Sequence, residues 1–203
     1  YTLVLVDGKR RHTTANIYSD AGLQQGSTPV DIDMIPSAAI DHIEVLRDGA
    51  AAQYGSDAIA GVVNIILKKS NHGFNVSGQT GAYAYKGDGW QSNLNLDGGF
   101  SFLGDGFVHL SGQYVHADMT NRSFNDDRTG QVSTKILGRP EQTRGTMSVE
   151  FGKRLTDTIQ LYGNATYAHR HAQSFQYYRL PTALPEIYPN WFSPVEVNNE
   201  DDY

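Results

Sequence analysis

The segment "NLNLDGGFSF" sorts its residues onto two unlike faces. Asn93, Asn95, Asp97, Gly99 and Ser101 fall on one, and Leu94, Leu96, Gly98, Phe100 and Phe102 on the other. A period of two marks an extended strand with one wet and one apolar side. The pattern recurs more weakly in Gly73–Tyr85, Gly106–His116, Arg144–Leu155 and Thr158–Arg170. The connections differ in length. Leu103–Gly106 and Leu155–Asp157 are tight and Lys86–Gly89 is little longer, whereas Met119–Thr143 and the tail from His171 are long and polar. Alternating strands of about 9–11 residues, with short turns at one end and long loops at the other, describe the wall of a transmembrane β-barrel. A soluble β-sandwich is the alternative, since it turns the same apolar face toward a second sheet. Gly81, Gly98, Gly112 and Gly163 would be thin material for such a core, and small residues suit a curved wall.

Composition narrows the function classes. The 21 Gly and 12 Tyr among 203 residues favour tight turns and half-buried strands. Cysteine is absent, which removes disulfides, thiolate metal sites and a cysteine nucleophile. A net charge of -6 with scattered Lys and Arg argues against nucleic-acid binding. No run of about 18 apolar residues is present to form a membrane-spanning helix. The opening "YTLVLVDG" has no signal-peptide pattern, and together with the ending "VNNEDDY" it suggests a piece of a longer polypeptide.

Ahead of the alternating segments lies a different region, Tyr1–Gly73. Thr2–Val6 reads as a strand stopped by Asp7-Gly8, a dipeptide tolerant of positive φ. Arg10–Thr28 reads as an irregular polar segment. Pro36 and Ser37 open a short helical turn ahead of a strand at Ile43–Leu46. Asp48-Gly49 ends that strand, Ala50–Gln53 forms one helical turn, Tyr54-Gly55 breaks it, and Ser56 or Asp57 caps a second turn. "VVNIIL" then returns as a strand. The small residues between these apolar strands let backbone pass close to backbone in a compact α+β unit.

"VLVDGKR" (Val4–Arg10) and "IPSAAIDHIEVLRDGAAAQYGSDAIAGVVNIILKK" (Ile35–Lys69) resemble the plug domain of TonB-dependent outer-membrane receptors. The later segments resemble the first strands of their barrel. The resemblance implies a plug over residues 1–72 with its N-terminal part missing. Residues 73–203 would be the first strands and loops of an antiparallel transmembrane β-barrel of the plugged class, about 22 strands in all. The signature positions are Asp7, Gly8, Asp48, Gly49, Tyr54, Gly55, Gly61 and Asn64, with Asp48-Gly49 standing where the family more often has Gly-Pro. Arg47, beside Glu44, resembles the plug arginine that meets carboxylates on the barrel wall. Arg10–Val30 corresponds to the plug's apical loop, so His12, Tyr18, Asp20, Gln24 and Gln25 are the implied ligand-binding residues. The implied function is TonB-energised uptake of a scarce ligand across the bacterial outer membrane. Its partners would be outer-membrane lipid, an extracellular small-molecule or oligomeric ligand, and the TonB complex through a segment absent from this chain.

Other signals are weaker. His169-Arg170-His171 and the His109/His116 pair offer imidazoles, yet without carboxylates at ligand spacing they read as strand residues and not as a metal site. Asp126-Asp127 and Asn198–Tyr203 read as solvated acidic loops. No nucleophile, base and orienter set is recognisable, so the expectation is neither an enzyme nor a cofactor protein. A β-rich surface binding module of lectin or adhesin type is the alternative function. Five wall strands would leave unpaired edges and a lipid-facing surface, so residues 1–203 are expected not to fold stably alone.

Overall fold

The computed structural model describes residues 2–13, 25–47, 51–127, 131–132, 138–176 and 195–202. In chain order the first region holds β1 (Thr2–Val6), β2 (Lys9–Arg10), 3-10 turns at Ile32–Met34 and Ser37–Ala39, and β3 (Ile40–Leu46). After these come the single-turn helix α1 (Ala51–Tyr54), a 3-10 turn at Ser56–Ala58 and β4 (Gly61–Leu67). These strands form one sheet in the order β2-β1-β4-β3. β1 and β4 are parallel, with Leu3 opposite Val62 and Val6 opposite Ile65, whereas β3 and β4 are antiparallel. Asp7 and Gly8 both take positive φ, 49° and 76°, as a two-residue hairpin turn from β1 to β2 requires.

Apolar residues occupy both faces of β1 and β4, as a buried pair needs. Leu3, Leu5 and Val62 pack with Ala58 and Tyr54 on one side, and Ile65 and Leu67 pack with Ile35 and Ala39 on the other. Ala58 is fully buried, so the crossover lies flat against the sheet because its side chains are small. The expected strand at Ile43–Leu46 begins earlier, at Ile40, and the turn opened by Pro36 is the 3-10 turn at Ser37–Ala39.

The remaining elements are β5 (Phe74–Tyr83), β6 (Asp88–Phe102), β7 (Gly106–Ala117), β8 (Asn125–Asp126), β9 (Gln131–Val132), β10 (Glu141–Arg154), β11 (Gln160–Gln176) and β12 (Val195–Asp202). β8 and β9 pair with each other inside a connection, and the six long strands form one sheet ordered β12-β11-β10-β7-β6-β5. All five alternating segments read from the sequence are strands in it. Two expectations fail. The segment from His171 is not a loop at first, because β11 continues to Gln176, and the acidic stretch near the chain's end is strand β12, pairing His169 with Asp202 through Gln176 with Val195. At 17 residues β11 extends roughly 56 Å, well beyond a hydrocarbon core of about 30 Å, so its outer part is free of the alternation that lipid imposes.

The sheet's polarity is the reverse of a soluble protein's. On β10, Thr146 is 1% exposed and Glu150 3%, whereas Met147 between them is 65% exposed. His109, Ser111 and Gln113 are buried on β7 while Leu110 and Tyr114 are exposed, and Asp97 on β6 is buried while Leu94, Leu96, Phe100 and Phe102 are exposed. A sandwich would bury the apolar set. This sheet buries the polar one, as a wall with lipid outside and a wet interior does.

By chain contacts the molecule divides into two units, each described by itself. The first joins residues 1–75 with 96–112 and 147–166, so it contains the four-stranded sheet and the wall's short-turn end. The second contains 76–95, 113–146 and 167–203, the long-loop end of the same strands.

Candidate functional site

Within the first unit, several signature residues read from the sequence converge on the β1–β2 turn. The Gly8 amide donates to Asn64 Oδ1 at 3.0 Å, and Asn64 Nδ2 donates to Glu44 Oε2 at 2.8 Å. Asp7 Oδ1 accepts from the Leu67 amide at 3.2 Å and lies 3.3 Å from Lys69 Nζ. One asparagine thus ties a turn to two strands, which explains an amide in the middle of "VVNIIL". Gly61 has φ of 134°, and a Cβ there would stand 2.6 Å from the Leu46 carbonyl oxygen, so this glycine sets the close approach of β3 to β4. Tyr54 and Gly55 serve a second clamp: Arg10 donates to the Tyr54 carbonyl at 3.0 Å and pairs with Asp57. Gly55, with φ of 87°, leads into the turn at Ser56–Ala58.

The other expected residues are not gathered with these. His12 follows β2 and Gln25 sits in a turn, both exposed, while Tyr18, Asp20 and Gln24 lie outside the described residues, as do Asp48 and Gly49. Arg47 is exposed just past β3. The Glu44 carboxylate is turned to Asn64 within the sheet, with His42 Nε2 3.7 Å away. His42 also binds Asp41 through Nδ1 at 2.7 Å, and this hydrogen bond raises its pKa above the ordinary imidazole value, with the Glu44 charge adding to it. His109 and His116 belong to separate networks, and among the described residues no group of His, Asp or Glu is arranged to hold a metal ion.

A contact between the small sheet and the wall was not legible in the sequence. Lys68 and the five residues after it leave β4 and run along β6. The Gly99 amide donates to the Gly73 carbonyl at 2.9 Å, Ser101 Oγ donates to the Asn71 carbonyl at 3.3 Å, and a Cβ at Gly99 would stand 2.5 Å from the Ser70 carbonyl oxygen. Asp97 lies one pleat away. Its Oδ1 is 3.2 Å from Lys68 Nζ and accepts from Asn75 Nδ2 at 3.2 Å, and its Oδ2 is 3.6 Å from His109 Nε2. His109 is buried and binds Ser70 Oγ through Nδ1 at 2.9 Å. Lys9 reaches the ring of Tyr162 on β11, its Nζ 5.0 Å from the centroid. The only sequence sign of this seat was a carboxylate on the wet face of β6.

In the second unit the wet face carries a groove of about 320 Å³ lined by Gln79, Tyr83, Gln91, Asn93 and Val115 among others. Arg122 and Arg139 each place a guanidinium 5.5 Å from the Tyr83 ring, and Arg122 also binds Asp88 at 2.5 Å. Amides, hydroxyls and an aromatic ring line the groove, with two guanidinium groups against that ring, which suits a polar ligand.

A small α+β domain seated on the polar face of an inverted-polarity strand wall is the arrangement of a plugged outer-membrane barrel. Residues 1–62 match the TonB-dependent Receptor Plug Domain. The N-terminal part of the chain is thus similar to the plug of TonB-dependent outer-membrane receptors, and the comparisons support a fragment of such a receptor. The Iron-regulated outer membrane virulence protein of Vibrio cholerae is 51% identical over 73 residues, 34% of this chain and 10% of that protein. The siderophore receptor PirA of Acinetobacter baumannii superposes with a TM-score of 0.68 at 26% identity, over 84% of this chain and 24% of its own. A ferric enterobactin receptor (PfeA) of Pseudomonas aeruginosa, a double mutant, is alike in fold over 99% of this chain and 30% of its own, with a TM-score of 0.71 at 21% identity. The chain therefore spans about a tenth of the curated relative it matches and a quarter to a third of these solved receptors.

Proposed function

We propose that this chain is the plug and first wall strands of a receptor that takes up a scarce iron complex through the outer membrane, with energy relayed by TonB. The observation that carries the reading is the seat of the plug's last residues on β6, on the buried polar face of a wall whose other face is apolar. The relatives' names, an iron-regulated protein and a siderophore receptor, support the ligand class. In this reading residues 1–72 are the plug and 73–203 the first strands of a wall of about 22. His12, Tyr18, Asp20, Gln24 and Gln25 form the plug's ligand-contacting apex. Arg47, exposed and next to the Glu44–Asn64 pair, meets the wall beyond the strands seen here. The groove beside Tyr83 adds ligand contacts from the wall, and the TonB complex acts through a segment outside this chain.

The test uses the full-length receptor in its host. A deletion strain is complemented with the receptor and grown under iron limitation on a panel of ferric siderophores, with and without functional TonB. Growth on at least one complex that disappears without TonB is expected. Growth on none of them overturns the ligand class, and uptake indifferent to TonB overturns the energy coupling.

A further inference from the structure

We infer that Asp97 is a positioning residue for transport. Through Lys68 it fixes the end of the plug to the wall, so that plug rearrangement is confined to the elements ahead of Lys68. The inference rests on the transport reading for its purpose, though not for its geometry. Two adjacent lysines just past β4 have different carboxylate partners: Lys69 pairs with Asp7 of the plug's own turn, and Lys68 pairs with Asp97 of the wall. The Lys68 amide donates to the Ala39 carbonyl at 2.8 Å, a backbone tie to the 3-10 turn ahead of β3, and the Gly99 amide donates to the Gly73 carbonyl. Between those ties stands one ion pair, on a carboxylate that is 8% exposed.

A buried carboxylate costs free energy unless its charge is met, and removing one member of such a pair leaves the other uncompensated. Among the described residues, the Lys68 ammonium is the only permanent cation paired with Asp97. The Asn75 amide is neutral, and the His109 nitrogen at 3.6 Å is beyond hydrogen-bond distance. The charge of Asp97 is therefore met by the plug's exit segment. Loss of either partner loosens that segment at its start, where only the bonds from the Gly99 amide and the Ser101 hydroxyl farther along still hold it. A contact that only fills space would be repaired by any group of that size, whereas an ion pair requires opposite charges in either order.

The decisive measurement is hydrogen exchange across residues 68–73 of the full-length receptor in detergent, alongside its conductance in planar bilayers without TonB or ligand. Asp97→Asn and Lys68→Met should keep the wild-type heat-modifiable migration. Both should speed exchange in this segment roughly tenfold, the size expected for a local opening, and raise the conductance. The exchanged pair Asp97→Lys with Lys68→Asp should restore both to near the wild-type level. If Asp97→Asn fails to fold, Lys68→Met, which leaves the wall intact, carries the comparison. Exchange within twofold of wild type in folded single variants, or a charge-exchanged receptor no better than the singles, overturns the inference. Neither readout involves uptake, so failure of the transport reading would appear separately, as a wild-type receptor without TonB-dependent growth.

Discussion

Glu44 and Asn64 are register partners on β3 and β4, and their side chains are joined by a 2.8 Å hydrogen bond. Asn64 spends its other end on the Gly8 amide, so one side chain couples the strand pair to the β1–β2 turn. Each hydrogen bond contributes about 0.5–1.5 kcal/mol net, so Asn64→Ala should destabilise the plug by about 1–3 kcal/mol. Asn64→Asp is expected not to rescue it, because the new carboxylate could accept from Gly8 but would face Glu44 with like charge. Faster exchange of the Gly8 amide in both variants is the readout. Wild-type protection in Asn64→Asp would mean that the Glu44 contact contributes nothing.

Gly61 provides a test of the close approach between β3 and β4. An alanine there would need a φ of 134° and would press its Cβ against the Leu46 carbonyl, strain of about 1–3 kcal/mol from the dihedral alone. Gly81 is the control, since a Cβ there meets nothing within 4 Å and its φ is ordinary. Gly61→Ala should lower the thermal stability of the full-length receptor and the protection of β3, while Gly81→Ala leaves both within about 0.5 kcal/mol of wild type.

Locally determined features were legible in the sequence. Asp7-Gly8 announced its turn because few dipeptides accept two positive φ values. Asn93–Phe102 announced its two faces because bilayer and lumen demand opposite chemistry on alternate residues. Two kinds of feature escaped. β12 and the outer end of β11 stand where that demand lapses, so Asn198–Tyr203 read as acidic loop although the backbone from Asn198 to Asp202 pairs with β11. The seat of the plug was hidden for another reason: nothing in "LKKSN" distinguishes the lysine that meets Asp97 from the one that meets Asp7, because that is settled by where β6 passes. Leu103 shows the same limit, a non-glycine at φ of 45° in a turn that Lys153 braces through the Leu103 carbonyl and Asp105.

His42 gives the plug a signed dependence on pH. Its hydrogen bond to Asp41, helped by the Glu44 charge, raises its pKa on folding. A raised pKa contributes stability that is fully present below the unfolded value of about 6.5 and is lost as pH rises through the folded value. Protection of β3 should therefore fall slightly from the low to the high side of that window in wild type and stay flat in His42→Gln. The residue is exposed, so the effect is small, and an equal slope in both proteins would assign it to another group.

The two faces of β6 make the strongest claim about the wall. Leu96 is on the exposed apolar face and neighbouring Asn95 on the face that buries Asp97. Strand period fixes that separation, since a slip of one residue would exchange Asp97 for Leu96 against the hydrocarbon. Both residues lie near the middle of the 15-residue strand, where a lipid-facing lysine costs about 2–4 kcal/mol. Asn95→Lys should cost only about 1 kcal/mol, the Asn95 hydrogen bonding it gives up, because the new ammonium stays in a wet interior. In bilayers of defined thickness Leu96→Lys should thus lower the folded fraction of the full-length receptor well below that of Asn95→Lys. Equal fractions, or the reverse order, would mean that the apolar face of β6 does not meet lipid.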